Sequence, residues 1–182
     1  MATPTTLPAT FVSGAVLTAA QMNNLRGAFR VLQVVSTTKT DTCTHSTGVT
    51  FSNVTGLSAA ITPSATSSKV LIYVYLEIGG NNSGTWVKVT GGNTASWVGD
   101  TAGSRARIAF AQNGTGGTPQ VMMNASAFYL DSPATTSAIT YQVQIAAADN
   151  ATTTYINRST TDTDSTGYSR ATSGIVVMEI SA

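Results

Sequence analysis

Lys69-Val-Leu-Ile-Tyr-Val-Tyr-Leu-Glu-Ile78 is the stretch that decides the fold. It is an apolar run of β-branched and aromatic residues, charged only at Lys69 and Glu77. Turn-forming segments bound it on both sides, Thr62–Ser68 before it and Gly79–Gly84 after it. A run of this length between turn signals is too short for a buried helix and reads as a strand crossing the middle of a sheet.

Working outward, the same signal recurs at short intervals. Thr85–Thr90 (TWVKVT) places Trp86 and Lys88 on one face and Val87 and Val89 on the other. Val49 and Phe51 alternate with polar residues, and so do Leu57, Ala59 and Ile61 before Pro63. Val31–Lys39, Arg105–Gln112, Gln120–Asp131, Ile139–Ala147, Tyr155–Ile156 and Gly174–Ile180 are further strand candidates, with Ala95–Val98 as a short one. Polar loops are expected at Thr40–Gly48, Asn113–Pro119 and Asn157–Ser173. Eight to ten short strands separated by turns predict a mainly β chain, an antiparallel β-sandwich or jelly roll. No repeat period suggests a solenoid or propeller, and no Rossmann or P-loop spacing is present.

The start of the chain reads differently. Residues 2–11 are rich in Thr and Pro and form an extended arm. One short helix follows over Val12–Leu32. Thr18 and Gln21 have capping-box spacing, with Leu17 and Met22 placed as a hydrophobic staple. Met22, Leu25, Phe29 and Leu32 make a narrow apolar stripe. A stripe that narrow suits a seam between identical helices, or else packs the helix on its own domain. The expected division is 1–32 for arm and helix, serving attachment and oligomerisation, and 33–182 for a β-sandwich head.

Composition narrows the function classes. Hydrophobic residues make up 42% of the chain and argue against disorder. Charged residues are 9%, against roughly 25% in ordinary soluble domains, and Thr, Ser, Asn and Gly take their place. A net charge of +1 provides no basic field for nucleic acid. No apolar run approaches the ~18 residues of a membrane span, so no membrane insertion is expected. Cys43 is the single cysteine, so an intrachain disulfide is impossible.

Residues that could carry chemistry are sparse. His45, the one histidine, sits beside Cys43 in a polar loop without a nucleophile motif. Glu77 and Glu179 lie in strands and could meet across a sheet as a glycosidase pair. Asp162-Thr-Asp-Ser-Thr-Gly167 opens like a calcium loop, but Ser173 stands where a bidentate Glu belongs. These readings predict no catalytic residues, no metal and no cofactor. A ligand-binding cluster is the better candidate: Trp86 and Trp97 could stack on a sugar face, with Asn93, Arg105 and Arg107 supplying hydrogen bonds. The competing reading places both tryptophans in the core or at a subunit interface.

The run TFVSGAVLTAAQMNNLRGAFRVLQVVSTTKTDT (10–42), together with TGLSAAITPSATSSKVLIYV (55–74), YINRS (155–159) and SGIVVMEI (173–180), resembles small bacteriophage tail-fibre and minor virion structural proteins. The resemblance covers both ends and the middle of the chain, and residues 81–154 match loosely. It implies a trimeric virion component whose head is similar to tumour-necrosis-factor-like jelly rolls. The expected partners are further copies of the chain, other virion proteins through the arm, and host surface glycan. The expected function is a tail-fibre or tail-tip protein that mediates host attachment. The alternatives are a capsid decoration protein or head fibre, and a surface-polysaccharide depolymerase.

Overall fold

The computed structural model describes residues 14, 16, 18, 19, 22, 31–80, 83–114 and 118–181. Among these, the strands in chain order are β1 (Val31–Lys39), β2 (Cys43–His45), β3 (Ser52–Ile61), β4 (Lys69–Gly80), β5 (Thr85–Thr90), β6 (Phe110–Gln112), β7 (Met122–Asp131), β8 (Ile139–Ala147), β9 (Thr154–Ile156) and β10 (Ser173–Ile180). One sheet has the order β1-β10-β4-β7, with β9 and β2 continuing beside β4. The second has the order β3-β8-β5-β6. Every pairing is antiparallel. The chain crosses between sheets at β2–β3, β3–β4, β4–β5, β6–β7, β7–β8 and β8–β9, which is jelly-roll connectivity. The mainly β antiparallel sandwich expected from the sequence is therefore present.

The core lies between the two sheets. Val70, Ile72, Val74, Leu76 and Ile78 project from β4 and are fully buried, joined by Ile175 and Val177 of β10. Leu57 and Ile61, Val87 and Val89, and Tyr141, Val143 and Ile145 come from the opposing sheet. Each fully buried aliphatic side chain contributes about 1.5–3 kcal/mol relative to exposure.

β4 has one edge fully paired with β7 and the other divided between two partners. β10 pairs with Lys69–Tyr75, and β9 pairs with Ile78–Gly80. Asn157 closes the gap between them. It is wholly buried, with φ at +65°, in the left-handed region that Asn tolerates better than most residues. Its N–H donates to Glu77 O at 2.9 Å. Its side-chain amide donates to Lys39 O at 2.8 Å and Asp41 O at 2.9 Å, and its Oδ1 accepts from Ser173 Oγ at 2.6 Å. One residue thus ties β1, β4 and β10 together where the ladder changes partner, through its backbone to β4 and its side chain to β1 and β10.

Two buried carboxylates close the opposite end, where Val31 pairs with Ile180. Glu179 accepts from Gln33 Nε2, Ser64 N and Oγ, and Ser68 Oγ at 2.6–2.7 Å. Burial alone would push its carboxyl up; the bonds from Ser64, Gln33 and Ser68 outweigh that and hold it at about 2. Asp131 accepts from Tyr141 Oη at 2.7 Å, from Ser132 N–H at 2.7 Å and from Asn93 N–H at 3.1 Å. Gly92, at φ +51°, lets the 91–98 turn lie directly on this carboxylate, where any Cβ would collide with it.

Several local expectations change. Ala95–Val98 is no strand: a 3₁₀ turn at Thr94–Ser96 begins it. The strand expected at Arg105–Gln112 shortens to Phe110–Gln112. The loop Thr40–Gly48 contains β2, which pairs with β9. Leu32, expected to finish the helical stripe, lies in β1 because the ladder with β10 begins at Val31. Ala19 and Met22 are helical, and Met22 N donates to Thr18 O at 3.0 Å. Leu17, Gln21, Leu25 and Phe29 lie outside the described residues.

Replacing Asn157 with Ala takes the amide donors from the Lys39 and Asp41 carbonyls and puts at φ +65° a residue that tolerates the left-handed region less well than Asn. Urea denaturation should show a loss of about 2–4 kcal/mol. Because the Glu179 carboxyl is depressed in the folded state, its contribution is complete above the unfolded value near 4.5 and disappears as pH falls towards 2. Thermal unfolding followed from pH 5 to pH 2 should show a steeper acid destabilisation in the parent chain than in Glu179→Gln.

Candidate interaction surfaces

The expected glycan cluster is dispersed by the fold. Trp97 caps the 3₁₀ turn and packs on the core, its ring stacked on Tyr129 at 5.2 Å between centroids and 8° between planes. It also meets Phe110 at 6.1 Å, so it plugs the seam between β7 of one sheet and β6 of the other. Asn93 holds Asp131 through its backbone and donates its side-chain amide to Ser132 O. Trp86 is half-buried on the outer face of β5, opposite Ala111 of β6 and Ala146 of β8. Arg107 donates from Nε to Gly99 O at 2.6 Å, and Arg105 is exposed in the same loop. Of the five residues, Arg107 lines a groove. This groove is about 380 Å³ and runs along Lys88–Gly92 and Thr94, Ala95 and Val98. The Lys88 ammonium leans away from that loop, 4.2 Å over the Phe51 ring.

A second surface was not anticipated from the strand patterns. On the outer side of the β1-β10-β4-β7 sheet, register aligns Val34, Met178, Leu71 and Leu130 as one rung. Ser36, Val176, Tyr73 and Phe128 form the next. Phe128 is 74% exposed, Val34 55% and Leu130 51%. Neither rung carries a charge. Lys69 and Glu77 mark its two ends on β4, and Glu77 is held by Asn124 Nδ2 at 3.0 Å. Towards the Glu77 end, Arg158 and Ser159 cross the position a side chain at Gly79 would occupy, so the following loop fences the apolar face. The face is made by every second residue of four strands that are distant in sequence. Only the shared register brings them together.

The residues weighed for chemistry have structural partners. His45 is buried, with Nδ1 2.7 Å from Ser52 Oγ and Nε2 near Thr47 Oγ1 (3.1 Å) and Gly48 O (3.3 Å). The position of a triad carboxylate is thus occupied by a hydroxyl and a backbone carbonyl. Cys43 packs against the core. Glu77 and Glu179 do not face each other. Glu179 pairs with Val70, seven residues along β4 from Glu77, a separation of roughly 23 Å at strand rise. A glycosidase pair needs roughly 5–9.5 Å. Asp162 is gripped by Arg170, Nε to Oδ1 at 3.0 Å and Nη2 to Oδ2 at 2.8 Å. Among the described residues no three His, Cys, Asp or Glu side chains are grouped to hold a metal, and no helix is long and apolar enough to cross a membrane.

Trp97→Ala should destabilise the chain by about 3 kcal/mol through the void left against Tyr129 and Phe110. Trp86→Ala should cost clearly less. Chemical denaturation of the two variants side by side checks the contrast. No protein-family model matches this chain, and no curated protein is similar to it at a significant level.

Proposed function

We propose that this chain is a non-enzymatic structural protein of a bacteriophage virion, a homotrimeric tail-fibre or tail-tip protein that mediates attachment to the host surface. The observation that carries this reading is the uncharged apolar face across β1, β10, β4 and β7. A monomer exposing Phe128, Leu130 and Val34 together would be prone to associate, and a contiguous patch of this kind marks an interaction surface. Its occupant is further copies of the same chain. The two central rungs hold no charge for a hetero-partner to complement. The face is also continuous with Leu32, the last residue of the apolar stripe read from the sequence as a subunit seam, and Leu32 is itself exposed on β1.

The topology supports a polarity for such an assembly. Val31 and Ile180 lie at the Lys69 end of β4. That end is the base of the head, and the loops around Gly80 lie at the far end. The N-terminal arm attaches to the virion, and the far-end loops face outward. Among the described residues the buried charges Lys39, Asp131 and Glu179 serve the fold, and the other charges are scattered, in keeping with an inert outer component.

Sedimentation should give three times the chain mass for the parent. Phe128→Asp with Leu130→Asp should give monomers with unchanged circular dichroism. A parent that sediments as a monomer refutes assembly through this face. Gold-labelled antibody against the chain should mark the tail end of intact virions. Label over the capsid would instead assign decoration, and unlabelled particles would refute the virion reading.

A further inference from the structure

We propose that the loop 158–172, at the end of the head opposite Val31 and Ile180, is a binding site for an uncharged polyhydroxylated ligand, the neutral hexoses of a surface glycan. The inference rests on the attachment reading and moves its contact site away from the tryptophans.

The loop leaves the sheet at Asn157 and returns at Ser173, between β9 and β10. Its base is fixed by the buried Asn157, and Ala171 N donates to Asn157 O at 3.1 Å. Arg158 pairs across the neck with Arg170 as an isolated bridge and lies 4.0 Å over the Tyr155 ring. Thr160 Oγ1 donates to Gly80 O at 3.1 Å, and Thr161 N donates to Pro119 O at 3.3 Å. These bonds lock the loop to the far end of β4 and to a second polar loop. A site so anchored loses little conformational freedom on binding.

Above that neck the chain curls around a hollow of about 340 Å³, lined among others by Asp162, Asp164, Ser165, Tyr168 and Arg170. The volume accommodates one or two sugar rings. Its chemistry is mixed. Carboxylates accept, the guanidinium donates, hydroxyls do both, and Tyr168 adds an aromatic surface. A sugar hydroxyl both donates and accepts, so this lining suits it better than it suits a purely anionic or purely apolar ligand. Arg170 and, at 4.0 Å, Arg158 both reach Asp162, and with Asp164 the two guanidiniums and two carboxylates balance, so the hollow offers an acidic sugar no net positive charge. The 380 Å³ groove at Lys88–Val98 is the weaker candidate, because the 91–98 turn lies at the Lys69 end of β4, with Val31 and Ile180. Single sites of this kind bind weakly, and parallel copies in an oligomer add avidity on a repeated glycan.

The test is a panel of neutral hexose trisaccharides and of trigalacturonate, measured by saturation-transfer NMR and calorimetry on the full chain. Its sedimentation mass is recorded on the same sample. Neutral trisaccharides should bind, Tyr168→Ala should weaken them by about tenfold or more, and Arg107→Gln should leave them unchanged. Arg170→Lys, which keeps the charge but loses the fork, should weaken binding without lowering thermal stability. Absence of binding across the neutral panel, tighter binding of trigalacturonate, or an unaffected Tyr168→Ala variant overturns the site. A trimer that does not bind refutes the site and leaves the assembly standing. A monomer that binds supports the site and refutes the assembly.

Discussion

The head depends on how β4 is shared. One strand serves β7 along the whole of one edge, and β10 and then β9 along the other. A ladder that changes partner leaves backbone groups facing a gap inside the protein, and an unpaired buried carbonyl or N–H costs about 1–3 kcal/mol. Asn157 removes that cost because its amide offers two donors and an acceptor on a short side chain, and because Asn accepts a left-handed backbone. The gap is also where the long loop 158–172 leaves the sheet. The same residue therefore permits a second short pairing with β9 and supports an excursion that would otherwise interrupt the sheet.

The other end of the sandwich is closed by charge instead of amide. Glu179 draws the 64–68 turn and Gln33 onto β10, and Asp131 draws the 91–98 turn and Tyr141 onto β7. Burial and the Asp131 carboxylate push the Tyr141 phenol well above its ordinary value, so it remains a donor at any physiological pH. These buried acids have their lone pairs occupied by structural donors. That accounts for carboxylates in a charge-poor chain without invoking catalysis at them.

The same economy of charge shapes the surface. Exposed sheets are normally broken up by Lys, Glu or Pro. Here two central rungs of the β1-β10-β4-β7 sheet lack any, and loop 158–172 bounds them at one end. An apolar flank and polar far-end loops divide the head into a face suited to self-association and an end suited to a hydrated partner. Val31 and Ile180 lie at the pole away from those loops.

The strand count, the all-β class and the alternation within β4, β5 and β8 were legible in the sequence, since period-two patterning is local and reports which side chains face a core. The turns at Thr62–Ser68 and the loop 157–173 were legible for the same local reason. The helical stripe through Leu32 was misleading at its end, because an apolar residue at helical spacing is equally well placed on the outer face of a strand. Trp97 stacking on Tyr129, the locking of Glu179 and the separation of Glu77 from Glu179 were decided by the tertiary structure alone. So was the apolar face, whose residues sit at 34, 71, 73, 128, 130, 176 and 178. Antiparallel register sets which of these become neighbours, and register is a property of paired strands that no single strand's pattern contains.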